Sequence, residues 1–88
     1  MREKNFEREL KALANRRRLI IVSFIKDKKE VSVGEISDKI KLSFKATSRH
    51  LSVLSAADIL DREQRSTQVY YKLSPNRSEL VHRVINLL

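Results

Sequence analysis

Lys45, Ser48, Arg49 and Ser52 stand at i, i+3, i+4 and i+7, a spacing that gathers them on one face of a helix. Each of the four donates hydrogen bonds. Arginine and lysine pair with guanine edges or phosphate, and a serine hydroxyl serves base or phosphate alike. Such a face suits entry into the major groove of duplex DNA. No acidic residue interrupts residues 43–57, whereas a merely solvated helix surface usually mixes both signs. Ser43 and Phe44 lead into the same face. Phe44 is its apolar member, fit to touch a thymine methyl or to dock on protein or RNA. Arg62 and Arg65 supply further cations, expected to flank a hairpin tip and to meet phosphate or the minor groove. Arg16, Arg17 and Arg18 fall at a helix start, where the macrodipole is already positive. That placement calls for an anion, either a DNA phosphate or a carboxylate at the core edge. His50 is read as helix packing or a phosphate contact rather than as a metal ligand.

Period and capping residues outline the elements that must hold these groups. Phe6, Leu10 and Leu13 recur at i, i+4 and i+7 on a first helix. Asn15 can cap a second, whose run from Leu19 to Ile25 is apolar nearly all round and so expected to be buried. Residues 27–30 are polar and read as a turn. Ser32 and Glu35 have the spacing of a capping box, opening a short helix to about Ile40. Ser43 is a good N-cap for the next, to about Ala57, with Thr47, Leu51 and Leu54 on its core side. From 59 to 73 the period becomes extended around a polar tip near 64–66, with Val69, Tyr71 and Leu73 sharing one face. Ser74, Pro75 and Asn76 end that stretch, and Ser78 can cap a last helix to Leu88. The expected fold is therefore mainly α with a small β-hairpin, in the order helices, hairpin, helix. That is the plan of a winged helix-turn-helix, here one domain over residues 1–88.

Bulk properties agree with this reading. The 88 residues carry a formal net charge of +8, which draws polyanions: nucleic acid or an anionic membrane surface. There is no cysteine, which fits a reducing interior and removes thiolate metal sites and thiol catalysis. No apolar run approaches the ~20 residues of a membrane span, and residues 1–5 lack the layout of a signal peptide. A cytoplasmic protein with no membrane contact is expected. An enzyme is disfavoured, since the chain has no glycine-rich phosphate loop and no His-Glu metal motif. A module that binds protein or RNA remains the alternative to a DNA reader. A core this small gains from association, and the last helix carries two adjacent apolar stripes. One is Leu80, Val84 and Leu87; the other is Val81, Ile85 and Leu88. Pairing these with Phe6 and Leu10 across a two-fold axis would bury them in a homodimer.

Four segments also carry a family resemblance. LKALANRRRLI (residues 10–20), VSVGEI (31–36), SFKATSRHLSVL (43–54) and QVYYKL (68–73) follow, in order, the motifs of ArsR/SmtB-type regulators. The resemblance covers about Phe6 to Leu73. It implies a dimeric winged-helix repressor that binds a pseudo-palindromic operator in double-stranded DNA, with the first and last helices in the dimer contact. The departures are informative. Ser32 and Gly34 stand where metal-sensing members place cysteines, so that thiolate site cannot form. A second metal site of the family lies on the last helix, and here only Glu79 and His82 resemble it. An exposed surface histidine is the expected reading; no metal and no cofactor are assigned. Lys41 and Asp58 stand where the resemblance places glycines in tight turns.

Overall fold

The computed structural model describes residues 2–88. Helices α1 (Arg2–Leu13), α2 (Arg16–Lys28), α3 (Val33–Ile40), α4 (Phe44–Ala56) and α5 (Glu79–Leu87) are joined by strands β1 (Glu30–Ser32), β2 (Leu60–Arg65) and β3 (Gln68–Leu73). The predicted caps are in place. The Asn15 side chain accepts from the Arg18 N–H, Ser43 from Ala46 and Ser78 from Val81. Ser32 accepts from the Glu35 N–H at 3.2 Å while the Glu35 carboxylate accepts from the Ser32 N–H at 3.1 Å, a complete capping box. Each cap satisfies a helix-start N–H that has no partner within its own helix.

The sheet departs from the expected two-stranded hairpin. Residues 30–32 form a third strand, antiparallel to β3, giving the order β1-β3-β2. Val31 lies opposite Tyr71 and both are buried. The stretch read as a turn at 27–30 is therefore the end of α2, a Lys29 cap with φ 76°, and the first residue of β1. The wing pairs without a break from Leu60↔Leu73 to Arg65↔Gln68, so its tip is Ser66–Thr67 and Arg65 belongs to the strand.

Helix α2 sits at the centre, touching the other four helices and strands β1 and β3. Only one side of it is closed. Ile21, Val22 and Ile25 are buried, Leu19 and Phe24 are half-buried, and Ile20 is exposed, so α2 is not buried all round. Ile36 of α3, Leu51 and Leu54 of α4, Ile59, Leu60 and Tyr71 of the wing complete this core with Val81 and Ile85 of α5. Val81 thus requires correction: it is fully buried within its own chain and cannot form an outer contact. The same reason removes Ile85. The stripe of Leu80, Val84 and Leu87 remains outside or half-outside, with Leu87 85% exposed. On α1, Phe6 and Leu10 are exposed while Leu13 joins the core.

Candidate nucleic-acid interface

The helix-turn-helix is α3 and α4 with the three residues between them. Lys41 ends α3 in the left-handed conformation (φ 56°, ψ 47°), and its N–H donates to Ser37 O. Leu42 donates to the same carbonyl. These bonds satisfy the open end of α3. Asp58, with φ 58°, makes the equivalent reversal out of α4 into the wing. Both positions use a non-glycine residue where glycine is free of the Cβ penalty, at a cost of roughly 1 kcal/mol each. Thr47, Leu51 and Leu54 anchor α4 on the core.

The opposite side of α4 is an open trough lined by Phe44, Lys45, Ser48, Arg49, Ser52 and Val53. The structure therefore brings the expected donors together on one surface. Val53, an exposed apolar member of that surface, was not anticipated; its place beside the donor stripe rather than on it hid it. Lys45, Arg49 and Arg62 are exposed and form no ion pair among the described residues. Ser43 uses its oxygen as the α4 cap, which leaves its O–H free to donate.

Arg65 is placed differently from the expectation of a free cation at the wing tip. Its guanidinium donates to Glu30 at 2.6 Å and to Glu63 at 2.9 Å, and it lies 4.8 Å from the centre of the Tyr70 ring. The hydrogen bonds to Glu63 and Glu30 hold Arg65 more firmly protonated than usual. Reciprocally, the hydrogen bond from Arg65 keeps the Glu63 carboxyl below its ordinary range. The cause is strand β1, which puts Glu30 beside the wing.

Arg18 pairs with no carboxylate among the described residues. Its Nε donates to Ala12 O at 2.6 Å and one terminal nitrogen to Lys11 O at 3.2 Å, closing the C-terminal carbonyls of α1. Its other terminal nitrogen meets His50 Nδ1 at 3.3 Å, which makes that nitrogen the acceptor. Burial, then the charges of Arg18 and Arg17, push the His50 pKa below its ordinary value, so His50 is a neutral packing residue between α1, α2 and α4. Arg16 and Arg17 instead line a hollow with Lys39 and Lys41, where the start of α2 meets the end of α3. The two lysines give no signal of their own at a short helix end, and only the fold sets them beside the arginines.

At the far end of the molecule Glu79 pairs with Arg83 at 2.9 Å, while His82 meets Arg77 and Asn86. Glu79 and His82 are thus engaged separately. Among the described residues no three His, Cys, Asp or Glu side chains gather as a metal site. No helix of the described residues is long and apolar enough to cross a membrane.

Comparison with known proteins gives this geometry its family. The model described as "Bacterial regulatory protein, arsR family" matches residues 15–62, from the cap of α2 into the wing. The transcriptional activator HlyU of Vibrio cholerae is 39% identical over 79 residues, a match covering 85% of this chain and 72% of HlyU. The nodulation protein NolR of Rhizobium meliloti is 34% identical over 79 residues; the match covers 90% of this chain and spans 62% of NolR. The structure of HlyU from Vibrio cholerae N16961 superposes with a TM-score of 0.85 at 36% identity, over 98% of this chain and 89% of that one. That of Mb0332 from Mycobacterium bovis, a homodimeric winged helix-turn-helix DNA-binding domain, does so with a TM-score of 0.81 at 27% identity, over 96% and 74%. Sequence and fold agree, and the chain belongs to the arsR family of bacterial regulatory proteins.

Proposed function

We propose that this protein is a site-specific, duplex-DNA-binding transcriptional repressor that works as a homodimer. One observation carries the reading: the outer face of α4 holds Lys45 and Arg49 without any acidic partner, on a helix that contains no acid. Two exposed cations with no internal anion are matched by phosphates and guanine edges. Ser43, Phe44, Lys45, Ser48, Arg49 and Ser52 enter the major groove. Arg62, and Arg65 where its acidic partners release it, meet backbone or minor groove at the wing.

Phe6 and Leu10 of α1 with Leu80, Val84 and Leu87 of α5 form the pairing face, which supports a dimer in line with the homodimeric Mb0332 domain. A two-fold protein selects a pseudo-palindromic operator with half-sites about one helical turn apart. Repression follows from occupancy, since bound protein excludes other proteins from the same duplex. HlyU is an activator by name, and occupancy that displaces a competing protein can also raise transcription. A regulator of bacterial DNA works in the cytoplasm.

Selection of bound sequences from a random duplex pool tests the reading. A recovered inverted repeat with a steep salt dependence supports it. Recovery of no motif, or affinity insensitive to salt, overturns it.

A further inference from the structure

Of the two exposed apolar side chains on the reading face, Phe44 and Val53, Phe44 is the more exposed. It is the first residue of α4, 63% exposed, and flanked by the Ser43 cap and Lys45. Most other large exposed apolar side chains lie elsewhere: Phe6 and Leu10 on α1, Leu87 and Leu88 at the end of α5, Ile20 on α2. The Phe44 ring borders two hollows. One is the α4 trough; the other is a pocket of about 240 Å³ shared with Ser32, Val33, Gly34, Thr67, Gln68 and Val69. It therefore occupies the corner between the reading helix and the tip end of the wing, at the helix end whose residues meet base edges in a helix-turn-helix.

We infer that Phe44 reads thymine, by contact of its ring with the 5-methyl group. This rests on the DNA reading above. The major-groove edges of the four base pairs display donors and acceptors, and the thymine methyl is the apolar group among them. A phenyl ring over guanine N7 and O6 or over cytosine N4 strips water from groups that it cannot hydrogen-bond, and that loss goes uncompensated. Over thymine the same ring exchanges two wetted apolar surfaces for one contact. Phe44 thus selects for thymine and against a G·C pair at one position of each half-site, independently of the bases chosen by Arg49.

A uracil scan isolates the methyl. On the best duplex from the pool selection, thymines are replaced by deoxyuridine in symmetry-related pairs, and the unaltered protein is titrated against each duplex. Loss of a buried methyl is worth about four-fold per half-site, so one pair should weaken binding about fifteen-fold. Phe44→Ala should lose a similar factor on the thymine duplex and show no further loss on the uracil duplex. Phe44→Leu, apolar but smaller, should fall between. Circular dichroism should find both variants folded, because the ring is exposed. If every uracil duplex binds the unaltered protein as the thymine duplex does, Phe44 does not read the methyl. If Phe44→Ala keeps the full uracil penalty, another side chain reads it. If the protein prefers no duplex at all, the DNA reading itself fails and this inference falls with it.

Discussion

Freeing Arg65 should strengthen DNA binding. In the unaltered protein this guanidinium is shared between Glu30 and Glu63, so the three groups together carry a net negative charge at the wing. Lys45, Arg49 and Arg62 are the unpaired cations of the proposed interface, three per protomer and six per dimer. Six cations brought against the duplex set a slope of log affinity against log salt of about −5. Replacing Glu30 and Glu63 by glutamine keeps the side-chain shape, removes both negative charges and leaves Arg65 a free cation. Two further contacts per dimer should steepen the slope by about 1.8, a gain of roughly sixty-fold at 0.1 M salt relative to 1 M. The assay is fluorescence anisotropy on one operator duplex across a salt series. Adding Arg65→Ala to the double variant should return the slope to about −5. Exposed ion pairs contribute little to folding, so the melting temperature should move only slightly. An unchanged slope in the Glu30→Gln, Glu63→Gln protein would refute the reasoning, because it would mean that Arg65, once released, finds no phosphate within reach.

Three other perturbations address the reading helix, its packing and its turn. Arg49→Ala should cost about 1–3 kcal/mol on the preferred site and relax base preference at one position, measured by competition with scrambled duplexes on a still-folded protein. His50 titrates below its ordinary 6.5 in the folded chain, so the unfolded chain takes up the proton first. Stability should therefore be intact above pH 6.5 and decline as pH falls through the lower folded value, a decline that His50→Gln flattens in urea melts at pH 7 and pH 5. Lys41→Gly should relieve the left-handed turn and add up to about 1 kcal/mol of stability in urea melts; a loss of similar size would show that the Lys41 backbone carries no strain.

Most helices were legible because their signals are local. Asn15, Ser32, Ser43 and Ser78 each satisfy an N–H three residues away, so the caps could be read without knowing the fold. The donor stripe of α4 was legible for the same reason, since helical spacing alone puts Lys45 and Arg49 on one side. Strand β1 was not. Three residues are too few to show alternation, and its partners, Tyr70 to Lys72, lie about forty residues farther along the chain. The pairing of Arg65 with Glu30 depends on that strand and was hidden with it. Arg18 points back to carbonyls six and seven residues before it, which requires the bend between α1 and α2. The two stripes of α5 are equally apolar in sequence, and only packing against α2 decides that Val81 faces inward.

Strand β1 has a mechanical consequence. Its last residue, Ser32, is both the cap of α3 and the partner of Tyr70 in β3, so helix-turn-helix and wing share a backbone joint with no slack. Beyond that joint the wing continues for two more pairs, Gln64↔Val69 and Arg65↔Gln68, about 7 Å at the usual rise, to its Ser66–Thr67 tip. The start of α4 lies beside that tip, with Phe44 and Thr67 bordering one pocket, so the two form a single stiff edge. On the proposed reading a duplex must fit that edge, and where its groove is too wide or too narrow the duplex deforms rather than the protein. Sequences that bend or compress easily between the two contacts will be favoured, so base preference should extend to steps that no side chain touches.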